Sequence, residues 1–195
     1  MRFPYLFVLC ILIFGCGVTT PEYNAPPAED NPPASATLNQ GYDDAWNSLI
    51  SFTSERFFAI DNYEKESGLM TLKFSANPSR FVTCGEIDTD GPPAYSGPYL
   101  DWYDQRRATP ELDGRMNLTV REISSEEVRV EVNARYVLSI SYPTGSQLKW
   151  AFNTGGSDTI TVPANNFGAR QDRTCRPTHE AERVIVEGLK ELSSS

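Results

Sequence analysis

Residues 128–141 read VRVEVNARYVLSIS and give the clearest structural signal in this chain of 195 residues. The even positions are all apolar, whereas the odd positions, apart from Val137, are charged or polar. An apolar residue at every second position predicts a long β-strand with one buried face and one face in water. One-sided sheets of this kind are usually antiparallel. The stretch therefore predicts an antiparallel sheet that covers a core with one of its faces.

Shorter stretches with a similar alternation lie on both sides of the long strand. A polar turn at 64–68 separates two of them, and Gly155-Gly156 turns the chain before the last one. The predicted additional strands are 57–63, 69–74, 116–120, 148–152 and 160–162. Together with 128–141, these stretches predict a curved antiparallel sheet of about six strands. Residues 160–162 are expected to be its last strand.

Two amphipathic helices flank the predicted strands. From Tyr42 to Phe57, apolar residues recur three and four positions apart, and a second helix is expected to begin near Thr178, a residue type that caps helices. The buried stripe of the second helix comprises Ala181, Val184, Ile185, Gly188, Leu189 and Leu192. This order of elements predicts an α+β fold in which the sheet packs on the C-terminal helix.

Acidic pairs lie at the start of both helices, Asp43 with Asp44 and Glu180 with Glu182. The helix dipole favours negative charge there, which explains these carboxylates without catalysis. His179 lies in the same turn as the second pair. We expect it to be an exposed structural residue rather than a general base.

The N-terminus carries the pattern of an export signal. Arg2 precedes ten uncharged, largely apolar residues, 5–14, and Gly15-Cys16 follows. This run is too short to span a bilayer as a helix, which takes about 20 residues. The ending Ile13-Phe-Gly-Cys16 resembles the lipobox of bacterial lipoproteins. That resemblance implies removal of the signal peptide 1–15 and acylation of Cys16, and Gly17 in place of Asp implies the outer membrane. The alternative is a plain secretory signal with Cys16 incidental.

Residues 16–35 are predicted to be a lipidated cysteine followed by a proline-rich tether. Five prolines, which disfavour helix and sheet pairing, lie between Gly17 and Ser35. An extended polyproline-like segment of this length would reach up to roughly 60 Å. Residues 36–195 then form a single α+β domain, as expected for this length.

Two cysteines, Cys84 and Cys175, remain in the mature domain. In an exported protein the simplest explanation of two spare thiols is a disulfide. It would connect the beginning of a long loop to the start of the last helix. A reactive thiol beside Arg176 is the alternative.

Residues 76–114 show no sustained periodicity over 39 positions and are predicted to be a long loop. Tyrosine, tryptophan and arginine are the residue types that most often anchor protein interfaces. We therefore interpret this loop as a candidate docking site for a partner protein or glycan, through Tyr95, Tyr99, Trp102, Tyr103, Arg106 and Arg107. The alternative is an insertion whose aromatic side chains cover the open face of the sheet.

Composition and motifs exclude several classes of function. Seventeen basic and 26 acidic residues give a net charge of −9, which disfavours binding to nucleic acid and to anionic lipid. A single histidine excludes multi-histidine metal sites, and Asp88 and Asp90 lack the further ligands of a calcium loop. The sequence also contains no phosphate-binding loop or nucleophile elbow. We expect no cofactor, no metal and no catalytic residue.

The first helix and hairpin resemble the beginning of BamC-like helix-grip domains. The residues that carry the resemblance are Tyr42-Asp-Asp-Ala-Trp46, Leu49, Phe57-Phe-Ala-Ile60 and Gly68-Leu-Met-Thr-Leu-Lys-Phe74. In that family the domains are accessory, non-enzymatic parts of the machinery that assembles outer-membrane β-barrels. The family carries tandem domains, whereas this chain is expected to have one. The predicted disulfide is not a mark of the family either.

The expected function is therefore that of a non-enzymatic lipoprotein facing the periplasm, which binds an envelope protein or supports an assembly. A second hypothesis is a binder of small apolar ligands in a cavity between sheet and helix. An envelope hydrolase ranks last, because no nucleophile and base can be paired from the sequence.

Overall fold

The computed structural model describes residues 21–28, 34–75, 77–90, 94–163 and 169–193. The predicted signal peptide, Cys16 and residues 17–20 and 29–33 of the predicted tether lie outside them. The helices are α1 (Tyr42–Ser54), α2 (Pro78–Phe81), α3 (Tyr99–Gln105) and α4 (Glu180–Ser193). The strands are β1 (Glu22–Asn24), β2 (Ser35–Leu38), β3 (Ala59–Glu64), β4 (Leu69–Phe74), β5 (Val82–Thr83), β6 (Glu86–Thr89), β7 (Tyr95–Pro98), β8 (Thr109–Ser124), β9 (Glu127–Ser141), β10 (Gln147–Asn153), β11 (Asp158–Pro163) and β12 (Arg170–Pro177).

A six-stranded antiparallel sheet forms the body of the fold, and it contacts the C-terminal helix α4. Five of its strands follow the order β10-β9-β8-β4-β3. The other edge of β9 is shared, because β2 pairs with residues 128–131 and β10 with residues 135–141. The α+β class, the six-stranded sheet and its contact with the last helix are thus confirmed.

The membership of the sheet differs from the prediction in one strand. The predicted closing strand, 160–162, belongs to β11, which pairs with β12 in a separate three-stranded sheet of order β11-β12-β5. The sixth strand of the large sheet is β2. The sequence did not predict β12, because two of its inward positions hold Arg173 and Cys175 rather than aliphatic residues.

Both long helices pack on the same face of the sheet. Trp46 and Leu49 from α1, and Ile185 and Leu189 from α4, are at most 2% exposed. The helices contact each other at Gly188, where a Cβ atom would lie 2.1 Å from the ring of Phe52. Glycine is therefore the residue that lets α4 approach α1 this closely. The opposite face of the sheet, hereafter the outer face, carries the side chains of the odd positions of β8 and β9.

The stretch predicted to be a long loop, 76–114, contains short elements where it is described: α2, β5, β6, β7, α3 and the first residues of β8. A disulfide joins Cys84, between β5 and β6, to Cys175 in β12, with 4.1 Å between their Cα atoms. The predicted pairing of these two cysteines is confirmed. It links this stretch to the strand that precedes α4.

Part of the predicted tether is built into the domain. Glu22–Asn24 pairs with Glu86–Asp88 of β6 as an antiparallel strand, in a small sheet of order β1-β6-β7. Our expectation that the prolines prevent strand pairing is wrong here, because Pro21 and Pro26 flank the three paired residues and do not interrupt them.

None of the helices in the described residues is both long enough and apolar enough to cross a membrane.

Candidate interaction surfaces and the buried clusters beside them

Two of the aromatic residues predicted for partner docking are in the core. Tyr99 and Tyr103, on α3, are each 1% exposed, and their hydroxyl groups are hydrogen-bonded to each other. Their rings form an aromatic cluster that also contains Tyr23, Trp102 and Tyr142. Neither buried tyrosine offers a surface to a partner in this arrangement.

The other predicted docking residues lie nearer to solvent. Tyr95 is half-buried, and its hydroxyl donates a hydrogen bond to the carbonyl of Pro98 at 2.8 Å. Trp102 is also half-buried, with the guanidinium of Arg106 4.1 Å above its ring. Arg106 and Arg107 are exposed. Docking through this stretch stays a prediction, and it would depend on these four residues.

Arg173 joins the N-terminal strand to the aromatic cluster. It is 2% exposed, and its guanidinium lies 4.2 Å from the ring centre of Tyr23 and 5.1 Å from that of Tyr99. Tyr23 is held further by Thr174, because its hydroxyl donates to the Thr174 carbonyl at 3.0 Å and accepts from the Thr174 amide at 2.9 Å. Aromatic faces attract a desolvated cation. The contacts therefore fix β1 against β12.

Burial raises the pKa of several tyrosines above the ordinary value of 10.0, and among them Tyr99, Tyr103 and Tyr136 are at most 1% exposed. In the unfolded chain their phenols would ionise near pH 10, whereas in the folded chain they keep their protons. The stability that these groups contribute is therefore fully present below pH 10 and is lost as the pH rises above it. Each such tyrosine lowers the free energy of unfolding by about 1.4 kcal/mol per pH unit in that range.

We expect urea unfolding between pH 9 and 11.5 to show this steep loss of stability. The variant Tyr103→Phe should reduce the slope against pH by about 1.4 kcal/mol per unit, whatever its stability at pH 7. Tyr63→Phe is the matched control, since the Tyr63 side chain is 57% exposed, and it should keep the parent slope. Equal slopes in all three proteins would contradict the prediction.

A second buried cluster surrounds Glu182, which is 0% exposed on the inner side of α4. Its carboxyl oxygens accept hydrogen bonds from the hydroxyl of Tyr136 at 2.5 Å and from that of Thr154 at 2.7 Å. The Thr154 hydroxyl also accepts a hydrogen bond from the Ala134 amide at 2.7 Å. One carboxyl group thus connects α4 to β9 and to the turn after β10. Our explanation of Glu182 as a helix-start carboxylate missed this role.

His179 belongs to the same cluster, and the expectation that it is exposed is wrong. It is 2% exposed, and its Nδ1 atom lies 3.7 Å from Oε1 of Glu182. The residue precedes α4 with a φ angle of 59°, and its carbonyl accepts the amide of Arg183. In this left-handed conformation the imidazole packs inside the fold. Since Glu182, Tyr136 and His179 are each at most 2% exposed, the geometry of the cluster supports a structural role.

The outer face of the sheet carries rows of basic and amide side chains. One row across three strands consists of Lys73, Arg115 and Arg135, and the next contains Thr71, Asn117 and Asn133. A further row, near the tip of the β8–β9 hairpin, contains Arg121 and Arg129. We call the five basic residues in these rows, Lys73, Arg115, Arg121, Arg129 and Arg135, the arginine face. All five are exposed.

Two shallow grooves also open on the outer face. One, of about 300 Å³, is lined by Asn117, Arg129 and Asn133 among others, where β9 exchanges its neighbour β2 for β10. The other, of about 460 Å³, is lined by Glu111 and Asp113 near the opposite end of β8. The sequence indicated a wet face at the odd positions of 128–141. Without the register of β8 against β9, it could not show that the arginines of the two strands lie opposite each other.

Comparison with known proteins finds no family model, no curated protein and no solved structure that matches this chain.

Proposed function

We propose that this chain is a non-enzymatic lipoprotein, anchored in the outer membrane and facing the periplasm, whose domain acts as a protein-interaction or accessory assembly module of the bacterial cell envelope. The lipobox-like ending at Cys16 supports the anchor. The disulfide between Cys84 and Cys175 supports an oxidising compartment such as the periplasm. The placement of α1 and α4 on one face of the sheet supports a helix-grip-like plan of the BamC kind.

One observation carries the interaction role. The inner face of the sheet is covered by two helices, whereas the outer face is left open by the described residues and bears the arginine face. A wet sheet face alone is ordinary in antiparallel sheets. Arginine side chains that lack a carboxylate partner within the fold are unusual on such a face. They favour a surface that binds another molecule.

The docking of β1 supports an anchor that keeps the domain close to the membrane. Five residues separate Cys16 from Glu22, the first residue of β1. The six steps between them span at most roughly 20 Å when fully extended. An acyl group on Cys16 would therefore hold this part of the domain within about that distance of the bilayer. The reach of roughly 60 Å that we expected from a free tether does not apply to this part of the domain.

The interior offers little support for the alternative of a small apolar ligand. The space between the sheet and the two helices is occupied by large side chains, each at most 2% exposed, among them Trp46, Leu49, Tyr136, Ile185 and Leu189. Interiors packed in this way leave no room for a ligand of drug size.

The test combines lipid analysis with crosslinking in a bacterium with two membranes. Mass spectrometry of the full-length product should find an acylated Cys16 as the first residue, in the outer-membrane fraction. Cys16→Ser should lack the acyl groups and leave that fraction. A photo-crosslinker at Asn133, on the outer face, should capture one identified envelope protein, and a crosslinker at the exposed Glu187 on α4 should not. An unmodified Cys16 with the leader still attached would overturn the proposal.

A further inference from the structure

Two pairs of like charges on the arginine face stand directly opposite each other on neighbouring strands. Arg115 opposes Arg135, and Arg121 opposes Arg129. Directly opposed like charges destabilise an antiparallel sheet. The chain as a whole has a net charge of −9, so basic residues are the scarcer kind. The concentration of arginines in opposed positions is therefore not explained by the stability of the fold.

The first row is only partly neutralised. Asp61 forms ion pairs with Lys73 and with Arg115, the second at 3.3 Å. The guanidinium of Arg135, the next residue in the row, has no hydrogen-bonding or ion-pairing partner within the described part of the chain. One carboxylate thus serves two cations, and the third guanidinium faces solvent.

The second row repeats the arrangement. Arg129 donates a hydrogen bond to the Ser35 hydroxyl at 3.2 Å and lies 3.9 Å from a carboxylate oxygen of Glu131. The guanidinium of Arg121, directly opposite, makes no hydrogen bond or ion pair with any residue that the structure describes. Each row therefore presents one arginine whose guanidinium has no partner of its own.

We infer that the arginine face docks an acidic protein partner, with carboxylates of that partner on Arg121 and Arg135. This names the partner class of the interaction module and so rests on the proposed function. The guanidinium fork matches a carboxylate bidentately. The two rows are about 20 Å apart along β8, since six residues at about 3.3 Å separate Arg115 from Arg121. Between them, Asn117 and Asn133 supply amides that can hydrogen-bond a polypeptide, and the carboxylate of Glu131, opposite Thr119, lies 3.9 Å from Arg129, which offsets its charge.

The geometry favours a protein over the other occupants. A single phosphate group would need side chains that converge on one point, whereas these rows lie about 20 Å apart on an open sheet. In a two-fold dimer through this face, a second copy would present its own arginine face to this one, so like charges would meet. An acidic surface or extended acidic segment reaches both rows at once.

The test measures binding of a labelled 12-residue peptide of alternating Glu and Thr to the mature chain, purified in mild detergent, by fluorescence anisotropy. The double variant Arg121→Gln/Arg135→Gln should bind the peptide about tenfold more weakly. Its melting temperature should rise by about 1 to 4 °C, because both like-charge pairs are relieved. Arg56→Gln/Lys190→Gln, with the same change of charge at two exposed residues outside the arginine face, should bind within about twofold of the parent.

Several results would overturn the inference. An alternating Gln and Thr peptide that binds as well as the acidic one would do so, as would an equal loss of affinity in the control variant. Binding to phosphatidylglycerol vesicles but not to the peptide would assign the face to a membrane. A dimer in sedimentation that Arg121→Gln/Arg135→Gln dissociates would assign it to a second copy. An unmodified Cys16 would instead defeat the proposed function and leave the peptide result standing.

Discussion

The double variant Cys84→Ala/Cys175→Ala is expected to lose about 4 to 5 kcal/mol in free energy of unfolding. The disulfide closes a loop with a sequence separation of 91 residues, and the restriction of the unfolded chain has this size in the chain-entropy model. Both cysteines are at most 1% exposed, so the substitution also removes buried contacts. The measurement is urea unfolding followed by tryptophan fluorescence in non-reducing buffer.

The same experiment with a reductant provides the control. A phosphine reductant should destabilise the parent chain toward the value of the double variant, and it should leave the double variant unchanged. The segment nearest the lost bond should loosen first, because Tyr23 is hydrogen-bonded to Thr174, beside Cys175. Faster amide exchange at Ile87, the β6 partner of Tyr23, would report this loosening. A double variant within 1 kcal/mol of the parent would contradict the prediction.

The parts of the fold that sequence reasoning recovered share one physical property. In 128–141 every second residue is apolar, so the alternation alone indicates which side of the strand faces the core. The stripe of α4 and the pairing of Cys84 with Cys175 are similar, since periodicity and simple counting leave few alternatives. One member of the predicted stripe is wrong, because Leu192, in the last turn of α4, is 41% exposed. These elements needed no knowledge of what they pack against.

The parts that it missed depend on partners distant in sequence. β12 contains Arg173 at a buried position, and a buried arginine is acceptable only because Tyr23 and Tyr99, some 150 and 74 positions away, place their rings against it. Tyr99 and Tyr103 show the same limit. An aromatic residue in an aperiodic stretch suits an interface and a core equally well, and tertiary packing decides between them.

The sequence contains one signal that indicates the buried role of Glu182. Glu182 lies three residues before Ile185 and seven before Leu189, hence on the buried stripe of α4. Its acidic character and its place in the first turn suggested a solvated carboxylate. A charged residue in phase with an apolar stripe indicates a buried, hydrogen-bonded role.

The variant Glu182→Ala is expected to lose about 3 to 5 kcal/mol in free energy of unfolding at pH 7. It removes the acceptor of the buried Tyr136 hydroxyl and leaves the Thr154 hydroxyl only the more distant Ala134 carbonyl, at 3.3 Å, and a buried donor left without an acceptor is costly. It also leaves a cavity beneath α4, the helix that covers the core-facing side of the sheet. Glu187→Ala, on the exposed side of the same helix, is the matched control and should change stability by no more than about 0.5 kcal/mol. A loss below 1 kcal/mol in Glu182→Ala would contradict the prediction.

A compensating variant separates the hydrogen bonds from the loss of volume. Glu182→Met combined with Tyr136→Phe and Thr154→Val keeps the approximate shape of the cluster while removing the carboxyl group and both side-chain donors. Replacing all partners of a buried polar contact by apolar groups of similar size is often nearly neutral. The triple variant should therefore be more stable than Glu182→Met alone by at least about 1 kcal/mol, even though the Ala134 amide loses the Thr154 oxygen as its acceptor. Strictly additive losses across the three substitutions would show that Glu182 acts through packing alone.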